Sequence, residues 1–143
     1  MIRIICGGKK HVGWAAEAIA EYEKRLKKPF DVRWEIMDDE KLADYLAKWP
    51  FSGREFVMIC DERGQNISSP ELAKKFSDRF VAGQNVVIVI GGAYGFVPEV
   101  RERADFLWSF SKLVFPHMLA RTIVMEQVYR AQEIANGGKY HHE

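Results

Sequence analysis

Apolar residues recur along this chain with two periods, and the two take turns. Ile2 to Cys6 is a short, wholly apolar-rich run of the kind that forms a buried strand. Trp14 to Leu26 follows as an amphipathic helix, with Trp14, Ala18, Tyr22 and Leu26 four apart on one face, and Pro29 breaks it. Val32 to Met37 alternates and predicts a second, more exposed strand. Leu42, Leu46 and Trp49 predict a short helix that stops at Pro50, and Phe56 to Cys60 a third strand, followed by an Asp61-Glu62-Arg63-Gly64 loop. Ser68-Ser69-Pro70-Glu71 has the serine, early proline and glutamate of a helix start, and Leu72, Ala73, Phe76 and Phe80 supply that helix with an apolar face. Val86 to Ile90 is aliphatic throughout, as a strand buried on both faces must be. Pro98 opens a helix running to about Ala104, Phe106 to Ser109 is a short fifth strand, and a last helix spans Pro116 to Ala135. Its expected stripe is Leu119, Ile123, Val124, Val128, Ala131 and Ile134, and Gly137-Gly138 ends it.

Strands alternating with helices predict an α/β fold with a mostly parallel sheet and helices on both faces. At 143 residues, without a repeat, a low-complexity stretch or a linker, the chain is expected to be a single domain over 1–143. The longest aliphatic run, Val86 to Ile90, is too short to span a bilayer, and the start Met1-Ile2-Arg3-Ile4-Ile5 lacks the layout of a signal peptide. Cys6 and Cys60 sit in strand-like runs and read as buried thiols, which fits a cytoplasmic protein.

Charge alters this picture only locally. A net charge of +1 argues against a strongly electrostatic nucleic-acid binder, yet residues 1–33 hold eight Lys/Arg against four Asp/Glu. Locally basic surface of this kind can contact phosphate.

Candidate chemistry gathers where parallel strands end, because ligands bind beyond the carboxyl edge of such sheets. Four connections leave that edge: Gly7 to His11, Asp61 to Gly64, Gly91 to Gly95, and Phe110 to Phe115. The loop Gly91-Gly92-Ala93-Tyr94-Gly95 has neither the G-x-G-x-x-G spacing nor a following Lys-Ser/Thr, so it is no dinucleotide fingerprint and no P-loop. Its glycines suit either a tight turn or a ligand without phosphates. The Phe110-Ser111-Lys112-Leu113-Val114-Phe115 loop is too apolar for a solvated turn and needs a cover: the core, a partner or a flat organic ligand. His117 and Arg121 follow four apart, on one helix face, either as a cap and a surface pair or as a cationic corner beside that loop. No metal is expected, since the histidines and cysteines lack ligand spacing, and Asp38-Asp39-Glu40 reads as an acidic helix start.

Trp108 to His117, then Arg121, Glu126-Gln127-Val128-Tyr129-Arg130-Ala131 and Tyr140-His141 together resemble the ribosomal RNA large subunit methyltransferase H family, within the SPOUT (trefoil-knot) methyltransferases. Val89 to Gly95 resembles the family's glycine loop and Ala20 to Leu26 its first helix, so the resemblance covers nearly the whole chain. It implies a deep C-terminal trefoil knot, S-adenosylmethionine as methyl donor, and methylation at N3 of a pseudouridine in 23S rRNA by a homodimer acting on the assembled ribosome. It implies a donor site at Cys60, Gly91, Phe110, Ser111, Lys112, Leu113, Val114 and Phe115. His117, Arg121, Tyr140 and His141 become the catalytic candidates, with the tail reaching the partner's site. The alternatives are a SPOUT enzyme for another RNA such as tRNA, or a ribosome-binding module without turnover. Two departures stand out: His142 replaces the usual basic residue after Tyr-His, and the stretch from Asp38 to Phe51 is shorter than in many members.

Overall fold

The computed structural model describes residues 1–142. Five strands form one all-parallel sheet: β1 (Ile2–Gly7), β2 (Val32–Met37), β3 (Glu55–Gln65), β4 (Asn85–Ile90) and β5 (Phe106–Trp108), in the order β2-β1-β4-β3-β5. The helices are α1 (Gly13–Glu23), α2 (Asp39–Ala47), α3 (Ser69–Val81), α4 (Pro98–Arg103) and α5 (His117–Ala135).

Register explains why β4 is aliphatic at every inner position. Ile4, Ile88, Met58 and Phe106 share one cross-sheet row, and Ile5, Val89, Ile59 and Leu107 the next. Successive rows point to opposite faces. The first set joins Ile19, Phe76, Val124 and Val128 in a core under α1, α3 and α5; the second joins Leu42, Leu46 and Val100 in a core under α2 and α4. The sheet is thus covered on both faces. The strand order and the return of α5 to lie against α1 and α3 are compatible with a knotted C-terminal part. Among the described residues no helix is long and apolar enough to cross a membrane.

The second strand, the fourth strand and the capping box of α3 are where the sequence pattern puts them; Ser68 accepts from the Glu71 backbone and the Glu71 side chain reaches back. Three expectations need correction. Helix α1 ends at Glu23 rather than Leu26; its buried face is Ala15 and Ile19, with Tyr22 partly buried, Leu26 packs on the core from beyond its end, and Trp14 is 57% exposed. A strict spacing of four drifts by about 40° per step on a helix of 3.6 residues per turn, so it cannot hold one face for long. Asp61 to Gly64 is not a loop but a bulge inside β3: Cys60 and Gln65 both pair with Trp108, and the four residues between them have no partner on β5. Gly64 permits this, since a Cβ there would lie 2.5 Å from the Leu107 carbonyl oxygen.

The third correction concerns α5. Its buried face is Arg121, Val124, Met125, Val128, Ala131 and Gln132, whereas Leu119 is exposed and Ile123 only half-buried. The helix is wedged between α1 and α3, so its two polar core residues meet backbone rather than solvent. Gln132 Oε1 accepts from Lys27 N (2.7 Å) and its amide donates to the Arg25 carbonyl (3.0 Å). Arg121 does the same for the loop before α1, as described next.

Candidate functional site

Cys60, the last residue of β3 before its bulge, lies in one row with Ile90 and Trp108 at the carboxyl ends of β4 and β5. Above them opens a cavity of about 340 Å³, walled by the glycine loop, the Phe110–Phe115 loop, the β3 bulge, His117 and Ala120. Gly91 lets the Phe96 ring pack directly on the backbone here: a Cβ would lie 2.9 Å from that ring and would displace it. The apolar loop is shaped by its two serines. Ser109 Oγ donates to the Ser111 carbonyl (2.8 Å), Leu113 N donates to Ser111 Oγ (3.0 Å), and Asn66 donates to the Ser109 carbonyl (2.7 Å). That folding turns Phe110 inward, edge-on to Trp108 at 4.8 Å and 6.4 Å from Phe115.

Of the expected donor-site residues, Cys60, Gly91, Phe110, Ser111, Leu113, Val114 and Phe115 line this cavity. Lys112 is exposed and does not line it. Leu113 and Val114 are 69% and 79% exposed, so they form a lip rather than a floor. Asp61, Glu62 and Arg63 also line it, from a connection expected at this edge, though as a bulge rather than a loop, because its cause is a contact between Gly64 and a residue of β5. Trp108 and Phe96 were not anticipated as lining residues; Trp108 was foreseeable from its strand position next to Cys60. Burial, reinforced by the Asp61 carboxylate, pushes the Cys60 thiol far above its ordinary range, so it stays protonated and is no nucleophile.

His117 opens α5 at the cavity wall, and its Nδ1 lies 3.1 Å from the Gly91 carbonyl oxygen. A carbonyl only accepts, so Nδ1 carries the hydrogen and, in the neutral ring, Nε2 keeps its lone pair. One side chain therefore ties the glycine loop to α5 and presents a proton acceptor.

Arg121 is not beside it at a charged corner. It is fully buried: its guanidinium donates to the Gly7 carbonyl (3.0 Å) and the Lys9 carbonyl (2.7 Å), and one nitrogen lies 3.3 Å from His11 Nδ1. These bonds pin the β1–α1 loop, leaving Lys9 and Lys10 exposed on its outside. Burial, and next the Arg121 charge, hold His11 below the usual histidine range. The neutral His11 ring sits edge-on to Trp34 at 4.4 Å.

The tail lies elsewhere. Tyr140 donates to Glu126 Oε2 (2.8 Å), Arg130 caps the Tyr140 ring at 4.8 Å and holds Glu126 at 2.7 Å, and His141 Nδ1 is 3.0 Å from Arg130. Burial first, then the Glu126 hydrogen bond, push the Tyr140 phenol well above its ordinary range. At about 1.5 Å per residue, these anchor points lie roughly 14–20 Å along α5 from His117. Within one chain, Tyr140 and His141 are therefore not brought to the cavity. His142 is exposed. Among the described residues no group of three or more His, Cys, Asp or Glu could hold a metal ion.

The family model described as "Predicted SPOUT methyltransferase" matches residues 1–141. The chain is 35% identical to the ribosomal RNA large subunit methyltransferase H of Desulfitobacterium hafniense over 156 aligned residues, covering 98% of each chain. It is 37% identical to the protein of the same name from Caldicellulosiruptor bescii over 154, covering 99% of each. Among solved structures, a probable methylase family protein from Haemophilus influenzae superposes with a TM-score of 0.52 at 16% identity, over 95% of this chain and 66% of that one, a likeness of fold. Matched along its whole length in this way, the chain belongs to the SPOUT methyltransferases and, within them, to the ribosomal RNA large subunit methyltransferase H family.

Proposed function

We propose that this chain methylates N3 of a pseudouridine in 23S rRNA, at the subunit interface of the assembled ribosome, with S-adenosylmethionine as donor. Residues 1–143 act as one domain, and two copies form a cytoplasmic homodimer. The observation that carries the reading is the cavity at the carboxyl edge, with His117 in its wall and its Nδ1 already engaged. The names of the relatives, ribosomal RNA large subunit methyltransferase H, supply the substrate class.

The residues present fit the donor. A volume of about 340 Å³ falls within the ~300–1,000 Å³ of small-molecule sites. Phe110, Leu113 and Phe115 offer apolar surface for an adenine, and backbone groups of Gly91 and of the 110–115 loop would bond its edge and the ribose. Asp61 and Glu62 in the wall are set against Arg63, whose guanidinium lies 3.7 Å from Asp61, so the wall is of mixed charge and the fit rests on its apolar surface and backbone groups. When bound, S-adenosylmethionine supplies an electrophilic methyl group on a sulfonium.

The chain's own residues then have three tasks. The cavity walls hold donor and base in line, which supplies much of the rate by positioning. His117 Nε2 accepts the N3 proton, the role for which its engaged Nδ1 prepares it. Arg121 acts as a positioning residue: it holds the β1–α1 loop so that Lys9 and Lys10 face RNA phosphate. Tyr140 and His141 complete the site from the second copy, since they are remote from the cavity in their own chain.

Labelled donor offered with intact ribosomes, separated subunits, naked 23S rRNA and tRNA tests the reading. Label in 23S rRNA of intact ribosomes is expected. Label in tRNA alone would overturn it in favour of another RNA substrate, and absence of donor binding by calorimetry would favour a non-catalytic ribosome-binding module.

A further inference from the structure

A second, larger hollow of about 870 Å³ lies between α2 and α4, on the sheet face opposite α1, α3 and α5. Its floor is apolar: Leu42, Leu46 and Val100 are buried beneath it, and Val97 is 57% exposed along it. Its banks are acidic. Asp39, Glu40 and Asp44 stand on α2 and Glu99 on α4, and among the described residues none of the four is in an ion pair. Arg103 is the one cation of the lining, and its guanidinium lies over the Trp49 ring at 6.0 Å.

Helix polarity accounts for three of these acids, Asp39 and Glu40 in the first turn of α2 and Glu99 in the first turn of α4, but not for Asp44, which sits near the other end of α2, where a negative charge is unfavourable. Asp39 has a further peculiarity. Its Oδ1 is buried without a hydrogen-bond partner, packed against Gly7 and against Gly92, where a Cβ would collide with it. A desolvated carboxylate oxygen with no donor is costly and favours a cation nearby.

We propose that this groove docks a basic, amphipathic segment of a partner protein. The occupant follows from charge complementarity around an apolar floor. Lysines or arginines of the segment meet the two acidic banks, Glu40 and Asp44 being one helical turn apart, and its apolar side chains fill the floor, as in helix-in-groove recognition. RNA is the wrong partner here, since its phosphates would meet four carboxylates. Gly92, Tyr94, Gly95 and Phe96 line both this groove and the cavity over β3–β5, so the docked segment lies one loop away from the catalytic cavity.

The test uses a short helical peptide with leucines on one face and lysines along both flanks, and a twin with glutamates in place of the lysines. Calorimetry on the full chain should register the lysine peptide and not its twin. Hydrogen exchange should slow in α2 and α4 when the lysine peptide is added. Glu40 and Asp44 are both exposed, and a cation that is unfavourable at the start of α2 is offset by one that is favourable near its end, so the double variant Glu40→Lys/Asp44→Lys should keep its thermal midpoint within a few degrees; it should weaken the lysine peptide by about tenfold or more. Equal binding of the two peptides, binding indifferent to the charge reversal, or protection on α1 and α5 instead would overturn the proposal. So would protection of α2 and α4 by a 23S rRNA fragment, or dissociation of a dimer by the double variant, which would make the groove an interface between copies.

Discussion

The two ends of α5 carry similar residues in opposite circumstances. At its start, Arg121 is fully buried and bonded to the carbonyls of Gly7 and Lys9, and His117 is bonded to the carbonyl of Gly91. At its far end, Arg130 is half-buried and bonded to side chains, Glu126 and the tail residues Tyr140 and His141. The first end fixes, through backbone, the glycine loop that walls the cavity and the β1–α1 loop outside it, which leaves little room for rearrangement. The second end holds a terminal segment through exchangeable side-chain contacts. A fixed half and a deliverable half are what a site built from two copies of one chain requires.

The largest expected effect is at His117. On the proposed reading His117→Ala removes the group that accepts the N3 proton and should lower single-turnover methylation by roughly 10²–10⁴-fold, with donor affinity changed far less. Equal losses in rate and in donor affinity would mean that the ring serves the glycine loop and not the proton.

The second prediction contrasts the two arginines. Arg121→Met leaves the buried Gly7 carbonyl and the part-buried Lys9 carbonyl without their donor and should cost about 2–4 kcal/mol of unfolding free energy in urea. Arg130→Met removes a half-buried i,i+4 pair and should cost about 1 kcal/mol or less. Comparable losses at the two positions would erase the distinction between the ends.

A third effect is smaller and depends on pH. His11 is held below its ordinary value of 6.5 by burial and by Arg121, so the unfolded chain binds its proton more readily than the folded one. Its contribution to stability is complete above pH 6.5 and is lost as pH falls from there through the lower folded value. The urea midpoint of the wild type should therefore drop between pH 7.5 and 5.5 by more than that of His11→Gln. Parallel curves would separate His11 from the Arg121 clamp.

Much of this was legible in the residues. The alternation of periods and the aliphatic run Val86–Ile90 led to a parallel sheet covered on both faces, and Ser68 with Glu71 marked the start of α3 correctly. The glycine loop and the aromatic loop pointed to one cavity, because both leave the same edge of the sheet. Arg121 was misjudged for a physical reason: a lone arginine beside a polar helix start is ordinarily solvated, and the carbonyls that bury it lie more than a hundred residues away in sequence. Trp14 was misjudged because spacing by four imitates a helix face for two turns and then leaves it. The β3 bulge depends on Gly64 approaching Leu107, a contact that no local pattern encodes.

The central claim is that the cavity of one copy is completed by the tail of another. It is tested most directly by mixing two inactive variants, His117→Ala and Tyr140→Ala/His141→Ala, denaturing and refolding them together, and measuring methylation of 23S rRNA in ribosomes. Random pairing gives half the dimers one intact cavity matched with one intact tail, so about a quarter of wild-type activity should return. A mixture no more active than its parents would contradict the account.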